Sequence, residues 1–126
     1  MKTHLITARM VKSIARVTGL VLGGLLLATT ALAAGMLTGA KGMTLYTFDK
    51  DTGGAPSCYD ACAANWPPYL GKKGETMKEG YTLVPRKDGT MQWAYDGKPL
   101  YYFAGDRKKG DKTGDGRNDV WHAMME

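Results

Sequence analysis

The sequence predicts a small, mainly β fold with one short helix, a small α+β domain built from two tandem repeats that share one core. Three observations lead there. First, GMTLYTFDKD from Gly42 recurs as GKPLYYFAGD from Gly97, so Tyr46, Phe48 and Asp51 match Tyr101, Phe103 and Asp106 at an offset of 55. The same offset joins Met36 to Met91, Leu45 to Leu100 and Trp66 to Trp121. Second, Tyr46 and Phe48 are two residues apart, as are Tyr101 and Phe103, and that spacing puts each pair on one face of a strand. Third, helix-forming alanines are confined to a short run ended by Pro67-Pro68. The copies span roughly 35–70 and 90–126. Repeats this short seldom bury a core alone, so the two are expected to share one.

Residues 1–33 read as a signal peptide. A basic stretch reaches Arg16, and an apolar segment over 17–28 is interrupted by Thr18 and three glycines. TTALAA follows, with Ala31 and Ala33 in the small-x-small pattern of a cleavage site, so the mature chain is expected to begin at Ala34. As a helix the apolar segment would rise about 18 Å, short of a hydrocarbon core of about 30 Å. No membrane span is therefore expected after cleavage. The export signal points to an oxidising compartment, periplasmic or secreted.

Charge follows the same division. The chain carries 17 Lys+Arg against 12 Asp+Glu, a net +5, but Lys2, Arg9, Lys12 and Arg16 lie in the leader. The remaining 13 basic residues nearly balance the 12 acidic ones. A near-neutral body gives no electrostatic case for nucleic acid.

Within the first copy, 36–38 is expected to pair with 43–48. Ser57 is placed to cap a helix near 58–65, with Asp60 three residues on completing a capping-box pattern. The proline pair ends that helix, because a residue before proline is pushed out of the helical region. Residues 71–80 form a polar loop. Tyr81 to Pro85 reads as a strand, joined through Lys87-Asp88-Gly89 to a strand over 90–95. Asp96-Gly97 is a two-residue hairpin turn into a strand over 98–103. Pro99 cannot donate to a ladder and belongs at a strand start or an edge. A Gly/Asp/Lys-rich loop over 104–119 leads to a closing strand over 120–125.

LYTFDKD, CYDACAANWPP, DGKPLYYFAGD and GDKTGDG with a later Trp121-His122 resemble the bacterial secreted-repeat family marked by a Tyr-x-(Phe/Trp/Tyr)-x-x-Asp motif. The resemblance covers nearly all of the mature chain, with both motif copies intact. It implies a secreted protein and carries no defined biochemistry. Members are often described as predicted lipoproteins. No Cys follows the leader of this chain, so no lipid anchor is expected.

Several side chains could carry chemistry. Tyr46, Phe48, Asp51 and their counterparts Tyr101, Phe103, Asp106 read either as sheet packing with strand-end acceptors or as two aromatic-plus-carboxylate pockets. Trp66 and Trp121 divide the same way, between core and ligand contact. Cys58 and Cys62 are the only cysteines. In an oxidising compartment they point to a disulfide, with a soft-metal thiol pair as the alternative. Helical Cβ atoms four residues apart are about 5–6 Å apart, wider than the roughly 3.5–4.5 Å a disulfide needs, so a distorted turn is expected there.

Asp111, Thr113, Asp115, Gly116 and Asp119 occupy positions 1, 3, 5, 6 and 9 of an EF-hand-type calcium loop. Position 12 is His122, a poor ligand for a hard cation, and a solvated turn-rich loop explains the same residues. His122 is the only histidine after the leader. With Met124 and Met125 it permits a soft copper site. No catalytic set is evident: one histidine and two bonded cysteines leave no Ser/His/Asp or Cys/His assembly. No cofactor is implied. The function expected from the sequence is a non-enzymatic secreted binding or envelope-interaction module. The alternative is a metal- or redox-linked periplasmic protein.

Overall fold

The computed structural model describes residues 35–126. The leader, its cleavage site and the start of the mature chain lie outside the described residues. Met36–Glu126 forms one compact unit, mostly strand, with two antiparallel sheets and one short helix. No helix among the described residues is long and apolar enough to cross a membrane.

The strands are β1 (Tyr46–Phe48), β2 (Leu70–Gly71), β3 (Tyr81–Pro85), β4 (Met91–Tyr95), β5 (Lys98–Pro99) and β6 (Trp121–Ala123), and the helix is α1 (Ala61–Asn65). β1 pairs with β6, with Thr47 opposite His122. In the larger sheet β4 is central, flanked by β3 and β2, and β5 pairs with its end. The turn into β5 is the expected one. Asp96 (φ 53°) and Gly97 (φ 81°) both have positive φ, as a type I′ hairpin requires. Pro99 lies opposite Ala94 in the short β5, where the missing N–H costs little.

Two apolar layers lie on either side of the repeated strands. Leu45 and Leu100 enter one layer with Leu37 and Trp93. The next residues, Tyr46 and Tyr101, enter the other with Cys58, Trp66 and Trp121. All four repeated positions are fully buried, so each motif strand is covered on both faces. The second layer draws its buried members from both copies, and this is the shared core.

Four details depart from the sequence reading. The helix starts at Ala61, not near 58, and Ser57 does not cap it. Ser57 instead donates its hydroxyl to Asp51 Oδ1 at 2.7 Å, and the helix begins only at Ala61. Asp60 precedes the helix at φ 54° and ψ −122°, the first corner of a II′-like turn closed by Cys62 N–H to the Tyr59 carbonyl at 3.0 Å. Leu70–Gly71 forms a short strand on Gln92 and Met91 that was not expected, and it takes the first residue of the polar loop over 71–80. Finally, the offset of 55 fails before the hairpins. Leu37 takes an N–H bond from Leu45, and Trp93 takes the equivalent one from Leu100, so the first hairpin holds one extra residue and Met36 corresponds to Gln92, not Met91.

Candidate functional site

The motif strands meet on a local two-fold axis. Tyr46 and Tyr101 exchange both backbone N–H···O=C bonds, at 2.8 and 2.9 Å. Around this pair the aromatic side chains repeat by symmetry. Trp66 and Trp121 stack at 3.8 Å with planes 2° apart. Phe48 covers Trp121 at 4.1 Å, and Phe103 covers Trp66 at 4.3 Å. The order Phe48–Trp121–Trp66–Phe103 is a four-ring column in which the copies alternate. Tyr46 meets Trp66 edge-on at 5.3 Å, and Tyr101 meets Trp121 likewise at 5.2 Å. Edge-on pairs of this kind add about 0.5–1.5 kcal/mol each beyond area burial.

The carboxylates complete the symmetry by crossing it. The Tyr46 hydroxyl donates to Asp106 Oδ2 at 2.7 Å, and the Tyr101 hydroxyl donates to Asp51 Oδ2 at 2.9 Å. Each Asp uses its other oxygen on the turn that follows it. Asp51 Oδ1 accepts from the Ser57 N–H at 2.8 Å and hydroxyl at 2.7 Å. Asp106 Oδ1 accepts from the Thr113 N–H at 2.9 Å and hydroxyl at 2.6 Å. Each motif Asp therefore closes its own turn and clasps the other copy's Tyr. The local half of this was legible in the sequence; the crossing was not.

Electrostatics follow the burial. Burial pushes the Tyr46 phenol far above its usual range, with the Asp106 hydrogen bond adding to it and the Gly114 N–H opposing. Tyr101 rises for the same reasons, with burial first and the Asp51 charge next. Both phenols stay neutral donors. Burial also raises the Asp51 carboxyl, against the bonds from Ser57 and Tyr101 and the charge of Arg86.

Arg86 was not singled out by any sequence pattern. It follows a proline at a strand end, where a basic side chain ordinarily reaches solvent. Here it is only 6% exposed. It donates to Gln92 Oε1 at 2.7 Å and to the Cys58 carbonyl at 2.8 Å, and it lies 4.1 Å from the centroid of the Tyr59 ring. It thereby ties the cysteine loop to the sheet.

Cys58 and Cys62 are joined in a disulfide, with Cα atoms 5.3 Å apart. Cys58 precedes the helix, so the helical separation does not apply. The bonded pair leaves no thiolate for a soft metal or a nucleophile. The calcium candidates do not converge. Asp111 accepts from the N–H groups of Arg107 and Lys108, Thr113 turns to Asp106, and Asp115 accepts from the Ala123 N–H. Asp119 lies in the left-handed region at φ 60°. His122 faces Asp49 at 2.9 Å instead of that loop. Met124 packs in the leucine layer while Met125 is exposed, so the two methionines and His122 do not form one set. Among the described residues no three His, Cys, Asp or Glu side chains are grouped to hold a metal.

Two clefts flank the column, and the same axis relates them. One, of about 180 Å³, lies between the first copy's strand (Thr47, Phe48, Asp49, Asp51) and the second copy's hairpin (Gly97, Lys98, Pro99). The other, of about 320 Å³, lies between the second copy's strand (Tyr102, Phe103, Asp106) and the first copy's hairpin (Ala40, Lys41, Met43, Thr44), with Pro67 at one side. Equivalent positions line both, yet their chemistry has diverged: Lys98 and Pro99 in the first stand where Met43 and Thr44 stand in the second. The motif carboxylates reach both clefts but are already engaged, so the aromatic walls and hairpin residues remain for a ligand.

A family model for a secreted repeat of unknown function matches the chain twice, over residues 29–69 and 82–125. The second match begins inside β3, so that strand counts with the second copy. No curated protein and no solved structure matches the chain.

Proposed function

The chain belongs to this family of secreted repeats of unknown function, and on that premise we propose that it is a non-enzymatic binding module of the periplasm or cell exterior. The observation that carries the reading is the pair of clefts, each built from one copy's motif strand and the other copy's hairpin. Such clefts exist only when both copies are assembled. The clasped Asp side chains hold the walls in place, and the walls bind. Binding sites of this kind are concave, aromatic-lined and largely pre-formed.

Protein-observed NMR, with a library of small polar and aromatic compounds added to the ¹⁵N,¹³C-labelled protein, tests the proposal. Binding that perturbs Phe48 or Phe103 and their hairpin neighbours supports it. Binders that perturb neither cleft contradict it. Stoichiometric metal in protein purified from its native compartment would favour the metal- or redox-linked alternative instead.

A further inference from the structure

The two clefts differ in what they can hold, and the larger one has a definite chemical bias. Its walls are the rings of Tyr102 and Phe103, the Met43 thioether and the Pro67 ring. Trp66 stacks on Phe103 at 4.3 Å and Arg117 lies over its ring at 4.9 Å, so ring edges and a polarisable sulfur face the cleft, and these suit an aromatic body packed edge to face. The Tyr102 oxygen accepts the Ala40 N–H at 2.9 Å, so the hydroxyl is fixed in place while its own O–H remains a donor for a ligand. Asp106, 8% exposed, keeps a buried carboxylate beside the cleft. A ligand's negative group is repelled from that end.

The opposite side is basic. Lys41 lines the mouth on the first hairpin's turn. The aliphatic stem of Lys109 lies against Gly42, with Cγ within 3.0 Å of where a Cβ would stand. Arg107, Lys108 and Lys112 belong to the same exposed loop. The one acid among them, Asp111, is occupied by the N–H groups of Arg107 and Lys108 and by the Lys108 ammonium at 3.4 Å. Apolar walls, a negative inner end and a cationic mouth define an orientation: body inward, anion outward. The smaller cleft lacks this polarity, since Asp49 accompanies Lys98.

We propose that the cleft between Tyr102–Phe103 and the first hairpin binds a small aromatic anion, such as an aromatic carboxylate, with its charged group at Lys41 and Lys109. This rests on the binding-module reading and assigns its ligand class. The test is a titration of the ¹⁵N-labelled protein with 2-naphthoate, followed by amide shifts. Saturable shifts at residues 41–44 and 102–103 are expected. Lys41→Gln with Lys109→Gln weakens binding about three- to tenfold, as two exposed charge contacts would, and added salt weakens it too. 2-Naphthylmethylammonium serves as the cationic control and binds more weakly. Equal or tighter binding of that cation overturns the anion assignment while leaving the binding reading intact. Shifts confined to Thr47, Phe48 and Lys98 overturn the choice of cleft but support a binding module. No saturable shift at residues 41–44 or 102–103 at millimolar naphthoate overturns this proposal alone, since the smaller cleft is then judged by the library screen.

Discussion

The Tyr46 hydroxyl donates to Asp106 at 2.7 Å across 60 residues of chain, and its symmetry mate joins Tyr101 to Asp51. Each motif is thus incomplete by itself: the hydroxyl of its tyrosine donates to the other motif's aspartate. A shared core could have been held by apolar contact alone. The crossed bonds make each copy's polar groups depend on the other copy's presence.

The first prediction concerns these bonds. Removing either aspartate leaves a buried phenol and the following turn without an acceptor, at about 1–3 kcal/mol. Asp51→Ala and Asp106→Ala therefore both lower the melting temperature, by about 4–8 °C per kcal/mol. Double-mutant cycles resolve the partners. Tyr46→Phe couples to Asp106→Ala, and Tyr101→Phe couples to Asp51→Ala. Coupling of Tyr46 to Asp51 instead contradicts the crossing.

The second concerns alkaline pH. Burial raises the Tyr46 and Tyr101 phenols well above their ordinary value near 10. Between the unfolded and folded values the unfolded chain has lost protons that the folded chain keeps. Stability is then full below about pH 10 and falls as pH rises through the shifted range. Each such tyrosine contributes a slope of about 1.4 kcal/mol per pH unit. Urea unfolding of the Tyr46→Phe, Tyr101→Phe double variant between pH 9.5 and 11.5 shows a shallower loss than the parent. An unchanged slope contradicts the burial of these phenols.

The third concerns a close approach. A Cβ on Gly114 would lie 2.7 Å from Trp66 Cη2 and 2.9 Å from Phe103 Cγ. Neither ring can retreat without disturbing the column. Gly114→Ala destabilises by about 1–3 kcal/mol, the usual range for overpacking, measured by chemical denaturation. A neutral result means the column is loosely held.

Much of this architecture was legible in the sequence, and the illegible parts have physical causes. The matches at Tyr46/Tyr101 and Trp66/Trp121 reveal a duplication because tryptophans seldom fall in register by chance. The Asp96-Gly97 turn follows from backbone chirality. The exchange of partners between copies was not readable, since identical motifs could satisfy themselves locally or each other with the same residues. Ser57 is a residue type that caps helices, but the helix begins at Ala61 and the Ser57 hydroxyl bonds Asp51. Leu70–Gly71 carries no alternation and becomes a strand because β4 has an open edge beside it. Of the candidate site, the two motifs were visible. The clefts were not, because each takes its second wall from the other copy's hairpin, a juxtaposition that the order of residues does not show.

The account stands or falls on whether the two copies form one cooperative unit. The direct measurement is circular dichroism of the protein cut in the loop at Gly74, with each piece examined alone and after mixing. The account predicts that both pieces are unfolded when separate. It also predicts that mixing restores β structure and the near-ultraviolet signal of the stacked tryptophans. A first piece that folds cooperatively alone, or pieces that fail to reassemble, would contradict it.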